Sequence, residues 1–386
     1  MTITDNLPLE GLLVLDMAQF LSGPYAALRL MDLGARVIKI ERPDGGDLAR
    51  RLYLTDTEIG GDSTNFHAIN RNKQSIALDL KNARDIGRLW KLIAKADVII
   101  QNFRPGVIER LGLDYETVAK RNPRLVYGSI SGYGEQGPWV TLPGQDLLAQ
   151  ARSGLMWLSG DDDHGPVPFG LSVGDMLAGA DLVQGILAAL VRRGVSGQGA
   201  HVQTSLLEAL VDLQFEVLTA HLNDGNRLPK RSSFRNAQAY LAAPYGVYET
   251  ADGYMALAMT PIGKVADLLE IAELHAHRDL PKSWFSERDK IKRLIADRLK
   301  MQTTEHWLAS LQPADVWCAR VLNWRELLTS EGFASLDMLQ TVSRGDGVTV
   351  TTTRSPIRIN GKRRKVEEAA PTIGAHSEAI IREFDL

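Results

Sequence analysis

Leu12-Leu-Val-Leu-Asp16, Ser22-Gly-Pro-Tyr25 and Val37-Ile-Lys-Ile40 decide the fold. The first and last are short apolar runs of the kind a buried strand shows. Between them, residues 25–33 carry a helical pattern, with Pro24 near the first turn and Gly34 as its stop. Two strands separated by one helix make a βαβ unit, which implies parallel pairing with helices packed on the sheet. The alternation continues. Residues 75–78, 98–100, 125–127 and 201–204 read as strands, and 83–95, 146–155, 175–192 and 206–222 as helices. The class is α/β.

The character changes after Asn223. Residues 224–239 are polar and basic, like a linker or mobile loop. Residues 247–250 and 254–259 read as a hairpin around an Asp-Gly turn, followed by helical segments to about 328. Residues 348–352 and 357–359 look like strands, and 376–384 like a last helix. The expected layout is a large α/β domain over 1–224, a smaller α+β domain over 225–330 and a C-terminal segment over 331–386.

Composition narrows the function. The chain has 386 residues, 44% apolar and 24% charged, with a net charge of −3. No basic excess is present to grip a phosphate backbone, so nucleic-acid binding is not expected. Cys318 is the single cysteine. That excludes an intramolecular disulfide and a cysteine-built zinc site and fits a reducing, cytoplasmic setting. The longest apolar run, Met176 to Val191, is interrupted by Asp181 and Gln184 and reads as too short to span a bilayer. No membrane association is expected.

Several motifs fail on context. Gly132-Tyr-Gly-Glu-Gln-Gly137 has dinucleotide-loop spacing but runs into Pro138-Trp-Val. Gly170-Leu-Ser-Val-Gly174 has nucleophile-elbow spacing but lacks a preceding strand. No P-loop and no paired-histidine zinc motif is present, so neither a nucleotide cofactor nor a metal is expected. Asp161-Asp-Asp163 reads as a solvated turn, and Cys318 as an inert thiol in an apolar context. His67 and His201 read as ordinary surface or core histidines.

One acidic residue is different. Asp175 lies in Gly174-Asp-Met176, at the start of a long apolar helix pattern. As an isolated feature it reads as an N-cap, whose oxygen accepts first-turn N–H groups. A carboxylate held there can also attack an activated acyl group. Around it stand ligand-type loops after predicted strands. Arg42, Lys81 and Arg110 would suit phosphates, and Phe103 in Asn102-Phe-Arg-Pro-Gly106 could stack on an adenine.

Together these words resemble the class III CoA-transferase family, which includes the α-methylacyl-CoA racemases. The matching words include Gly11-Leu-Leu-Val-Leu-Asp16, Ser22-Gly-Pro24, Gly34-Ala-Arg-Val-Ile-Lys-Ile-Glu41, Asn72-Lys-Gln-Ser75 and Asn102-Phe-Arg-Pro-Gly106. Ser131-Gly-Tyr133, Gly174-Asp175, Gly197-Gln-Gly199 and Pro371-Thr-Ile-Gly374 follow in order. The resemblance implies a Rossmann-like large domain built from both chain ends, an inserted small domain, and two ring-like protomers interlocked as a homodimer. It implies coenzyme A and acyl-CoA as substrates, with a small carboxylate as acceptor, and Asp175 as the nucleophile. By family position, CoA contacts fall to Gln19, Phe20, Ser22, Arg42, Leu78, Lys81, Asn102, Phe103, Arg110 and Leu111. Leu21, Asn65, Gln145, Asp146 and Gly174 are assigned to the substrate or oxyanion side, with Gly174 offering a backbone N–H.

Departures from the family pattern weigh on the reaction. Leu21 stands where formyl-CoA transferases carry a gating glutamine, and Asn65 and Gln145 stand where they carry tyrosines. Their glycine-rich lid is missing between 225 and 245, and Arg231-Ser-Ser-Phe-Arg235 is a candidate substitute. The racemase branch needs a second base, carried by a histidine in the segment that is Gly144-Gln-Asp146 here; Gln145 has no basic site. A racemase, a hydrolase that admits water to the acyl-aspartate, and a non-catalytic CoA-binding protein are the alternatives to a CoA-transferase.

Overall fold

Six parallel strands make the central sheet: β1 (Leu13–Asp16), β2 (Arg36–Glu41), β3 (Gln74–Ala77), β4 (Val98–Gln101), β5 (Val126–Ser131) and β6 (Ala200–Ser205). The computed structural model describes residues 7–386. The strand order is β3-β2-β1-β4-β5-β6, with every pairing parallel. The order reverses direction between β1 and β4, and ligands of such sheets bind beyond the carboxyl ends of the strands at that point. β1 and β4 are buried along their whole length, which is why they read as unbroken apolar runs.

Helices cover both faces. α1 (Ser22–Asp32) and α2 (Ala83–Ile93) flank the first strands, and α3 (Val173–Ser196) and α4 (Ser377–Phe384) complete the layers. α2 and α4 bury Leu89, Leu92, Ile93 and Ile380 against Leu15, Ile38, Ile76, Ile99 and Tyr127. α3 packs on α1, β5 and β6 across the opposite face. Its 24 residues exceed the expected 175–192, because the helix runs through Gly194 and ends at Gly197 in the left-handed region. The expectation that this segment is too short to span a bilayer is thereby corrected: it is long and apolar enough. Its Leu182 and Ile186 nevertheless lie buried beside Gly128 of β5.

β3 is an edge strand, and the C-terminal segment covers it. Ser75 N–H donates to His376 Nδ1 at 3.1 Å, and His376 N–H donates back to Ser75 O at 3.0 Å. Ala77 N–H donates to Ser377 Oγ at 3.1 Å. Side-chain atoms and one amide thus take up the backbone groups that a further strand would otherwise pair.

The chain forms two compact units. One holds the residues up to Ala149, Ser172–Leu210 and Leu336–Leu386; the other holds Gln150–Leu171 and Val211–Ser335. The second is built on an antiparallel sheet of β7 (Gly246–Thr250), β8 (Gly253–Leu257) and β9 (Cys318–Arg320), with β8 central. Tyr248, Met255, Leu257, Ile291, Ile295 and Trp307 form its core.

Three local expectations are corrected. Residues 357–359 are no strand; Ile359 makes only an isolated bridge to Lys362. The partner of β11 (Thr349–Thr353) is instead β10 (Leu339–Ser343), whose alternating burial hides it among polar residues. The helix expected over 206–222 breaks at Gln214 into Leu206–Leu213 and Phe215–Asn223.

Candidate active site

The site begins at the carboxyl end of β1. Asp16 is fully buried, and Lys73 Nζ donates to its Oδ2 at 2.8 Å, to Pro24 O at 2.8 Å and to Asn70 Oδ1 at 2.9 Å. Lys39 Nζ stands 3.6 Å from the same carboxylate, bonds Ala18 O at 2.9 Å and pairs with Asp47 at 2.7 Å. Burial works to raise the Asp16 carboxyl, but Lys39 and Lys73 beside it hold it below its ordinary range. Burial, reinforced by Lys39, brings Lys73 down to about 8, against the attraction of Asp16. The pair remains charged at neutral pH.

This clamp fixes the loop that leads into α1. Asn102, just past β4, accepts from Gln19 N–H through Oδ1 and donates to Gln19 O through Nδ2, both at 2.8 Å. Its Nδ2 also lies 3.4 Å from Ser22 Oγ. Phe20 sits at φ +63°, a left-handed conformation costly for a bulky residue, with its N–H bonded to Asp47 Oδ1 at 3.1 Å. The constraint leaves the phenyl ring 45% exposed.

Asp175 enters from the opposite side, in the first turn of α3. It is not the cap. Ser172 is the N-cap residue, without a side-chain cap bond, and Asp146 Oδ1 accepts from Gly174 N–H at 2.7 Å and Asp175 N–H at 3.2 Å. Asp146 therefore does the capping from outside the helix, and the Ser22 hydroxyl lies near enough to the Asp175 carboxyl to favour its charged form. Burial, helped by the charge of Asp146, pushes Asp175 up to about 6; Ser22 works against this.

Gly179 makes the approach possible. It lies one turn beyond Asp175 on the same helix stripe. A Cβ there would stand 2.6 Å from Ser22 O and 2.9 Å from the Tyr25 ring. Gly179→Ala is expected to push α3 away from Ser22 and lower turnover by about tenfold to a hundredfold, as small misplacements of reacting groups do. Steady-state kinetics alongside a melting curve would check it; turnover equal to the parent's would refute it.

The other anticipated residues divide. Arg42, Lys81 and Arg110 are exposed and follow β2, β3 and β4; β2 and β4 flank β1, and β3 lies beyond β2 at the sheet edge. Arg42 spends part of its guanidinium on Gly46 O, at 3.3 and 3.4 Å. Phe103 and Leu111 are partly buried against the sheet core. Leu78 is wholly inside that core and its N–H donates to Glu41 O at 2.8 Å, so the expected CoA contact at this residue is not met by an open group. Leu21 packs against Ala49, Phe66, Ile69 and Ala370, Asn65 is buried, and Gln145 is exposed. The Gly174 N–H, anticipated as an oxyanion donor, is already taken by Asp146.

The weaker motifs stay without a site. Ser172 is exposed and no strand precedes it, so no nucleophile elbow forms. No helix follows Gly137. His67 is buried with Nε2 on Ile59 O, and His201 pairs with Ser129 Oγ at 2.9 Å while stacking on Tyr115. Among the described residues, no group of three or more His, Cys, Asp or Glu is placed to hold a metal ion. Burial raises the Cys318 thiol. Residues 231–235 are fastened rather than free: Arg231 donates to Ser159 O and His164 O, both at 2.6 Å, and Ser233 Oγ donates to Asp289 at 2.6 Å. Sequence reasoning assigned no role to Lys39, Lys73 or Gly179. The available signals were the lysines of Gly34-Ala-Arg-Val-Ile-Lys-Ile-Glu41 and Asn72-Lys-Gln-Ser75, quoted as matching words without a function.

Comparison with known proteins agrees with this geometry. The model of CoA-transferase family III matches residues 9–377. The chain is 31% identical to the succinate–glutarate CoA-transferase of Agrobacterium fabrum, over 98% of this chain and 96% of that one. It is 33% identical to the acetyl-CoA:oxalate CoA-transferase of Acetobacter aceti, with the same coverage. The crystal structure of a CAIB/BAIF family protein from Brucella suis superposes with a TM-score of 0.85 at 32% identity, over 98% of this chain and 100% of that one. With a parallel sheet of this order and a match along nearly its whole length, the chain belongs to CoA-transferase family III.

Proposed function

We propose that the protein transfers CoA from an acyl-CoA to a small free mono- or dicarboxylate, through covalent intermediates on Asp175. The observation that carries this reading is the freed carboxylate: Asp146 caps α3, leaving Asp175 to face Ser22 beside the β1–β4 switch point. An Asp175 oxygen bonds to the thioester carbonyl carbon, the C–S bond breaks, and its electron pair leaves with the CoA thiolate. The thiolate then attacks the aspartyl carbonyl of the anhydride, releasing the first carboxylate and leaving an aspartyl-CoA thioester. The acceptor carboxylate attacks that thioester and, through a second anhydride, takes the CoA. Thioester is exchanged for thioester, so the cycle is near thermoneutral and the side chains need only exclude water.

Arg42, Lys81 and Arg110 would meet the CoA phosphates, Phe103 the adenine, and Gln19, Phe20 and Ser22 the arm that leads to the thioester. The reading includes a homodimer of interlocked rings. Val191 and Val195 of α3, exposed by 74% and 82%, support a covered surface. A two-base racemase is not favoured, because Gln145 cannot take a proton.

The nucleophile must be ionised. Transfer is therefore expected to be full at pH 8 and to fall as pH drops through about 6, the value to which Asp175 is raised. A pH–rate profile flat down to pH 4.5 would contradict this assignment. The direct test is trapping: mix the protein with a panel of acyl-CoAs, quench with hydroxylamine, and read the Asp175 peptide by mass spectrometry. A hydroxamate on Asp175 supports transfer and names the donor class. An unmodified peptide together with α-proton exchange in a branched acyl-CoA would overturn the reading in favour of a racemase.

A further inference from the structure

We propose that Asp146 is the positioning residue of this site: it anchors the first turn of α3 and, by its negative charge, favours the acylated, uncharged form of Asp175 over the free carboxylate. This rests on the reading of Asp175 as the nucleophile. It assigns Asp146 a different task from that of a substrate or oxyanion ligand.

The geometry begins in β5. The loop after that strand closes on itself at a narrow neck, where a Cβ on either Gly132 or Gly144 would lie 2.5 Å from the other's Cα. Tyr133 OH donates to Pro143 O at 3.0 Å, and Gly134 N–H donates to Ser131 Oγ at 2.9 Å. Asp146 stands two residues past this neck, so the sheet fixes where its backbone lies. The residue is only 8% exposed. Oδ1 receives both first-turn amides, and a Cβ on Gly174 would stand 3.0 Å from that same oxygen. Side chain and helix start are in van der Waals contact.

The groups acting on the Asp175 carboxyl are Asp146, from the segment after the neck, and the Ser22 hydroxyl, from α1. α3 itself contributes only backbone amides, and Asp146 already accepts them. Two carboxylates share the site with the Ser22 hydroxyl. Free Asp175 is repelled by Asp146, as like charges in a shared site are. Acyl-Asp175 carries no charge and is not repelled. Each acylation thus relieves an unfavourable contact, and each return to the free carboxylate restores it. The repulsion also keeps the carboxylate basic, which makes it a stronger nucleophile.

The test compares Asp146→Asn with Asp146→Ala in the full-length protein. Asn keeps an oxygen that can accept the two amides and loses the charge; Ala loses both. The first readout is independent of turnover: labelling of Asp175 by a water-soluble carbodiimide, which reacts with the protonated carboxyl, followed by peptide mass against pH. The labelling midpoint is expected to fall by about one pH unit in both variants. The second readout is transfer at pH 8. Asp146→Asn is expected to lose about threefold in kcat, and Asp146→Ala at least about thirtyfold, because only Ala releases the helix start. Hydroxylamine-trapped acyl-Asp175 at steady state should fall several-fold in Asp146→Asn. An unmoved labelling midpoint in Asp146→Asn would overturn the electrostatic role, and parental kcat in Asp146→Ala would overturn the anchoring role. If Asp175 is not the nucleophile, no hydroxamate forms even in the parent protein, whereas the labelling midpoints still report whether Asp146 acts on Asp175.

Discussion

Asp175→Asn is expected to abolish CoA transfer, lowering kcat by at least about 10⁴-fold, while CoA still binds. The amide keeps the shape of the carboxylate beside the Ser22 hydroxyl, but it has no charged oxygen to attack a thioester. Of the residues proposed to bind CoA, only Ser22 neighbours this side chain, so isothermal titration with CoA should give an affinity close to that of the parent. The same substitution should raise stability. The Asp175 pKa in the folded protein, about 6, lies above its ordinary 3.8, so the folded state holds the proton more tightly than the unfolded chain does. Ionised Asp175 therefore costs stability above pH 6, a cost that fades as pH falls toward 3.8. The melting temperature of Asp175→Asn should exceed the parent's at pH 8, and the gap should close near pH 4. Residual transfer above about 1% of parental would sink the nucleophile assignment; a lower melting temperature at pH 8 would contradict the strained carboxylate.

Lys73→Ala should be the most destabilising single change in the sheet. Its ammonium holds Asp16, Pro24 O and Asn70 together. Without it, buried Asp16 keeps one counter-charge, Lys39 at 3.6 Å, and the Ala18 N–H at 3.1 Å. Breaking a buried pair from one side costs about 3–5 kcal/mol, a large share of the stability of a typical domain. Denaturant unfolding would measure the loss, and a change below about 1 kcal/mol would refute the clamp. Asp16→Asn combined with Lys73→Met should recover part of it, because no uncompensated charge is then left inside. Transfer should suffer even where the variant folds, since the loop carrying Gln19 and Phe20 starts at this clamp.

Much of the sheet was legible because strands buried on both faces are uniformly apolar, as in Leu12-Leu-Val-Leu15 and Val98-Ile-Ile100. β10 was not, because its buried Gln340 and Val342 alternate with exposed polar residues. The length of α3 was misjudged because Gly194 and Gly197 both stand near its end, and only Gly197 takes the left-handed conformation that stops the helix. Asp175 could be singled out by composition and spacing, but not separated from an ordinary cap. That distinction depends on Asp146, 29 residues earlier, taking the amides. The clamp was equally hidden, since Lys73 and Asp16 stand 57 residues apart in the chain. Gly179 reads as a helix-weakening residue until Ser22 O is found against it. The strain at Phe20 has no sequence signature.

The covering of β3 by the C-terminal segment imposes an order on synthesis. Ser75 and His376 are separated by 301 residues. A ribosome adding about 5–20 residues per second needs roughly 15–60 s to bridge that interval. For that time the nascent strand has emerged with its outer backbone groups unanswered, beside sheet neighbours that are already available. The chain must be held from misassociation by solvent-exposed charge or by chaperones until its last helix is released. A stop codon that removed only the final dozen residues would leave every proposed catalytic and CoA-contact residue in place, yet strip the sheet of its border.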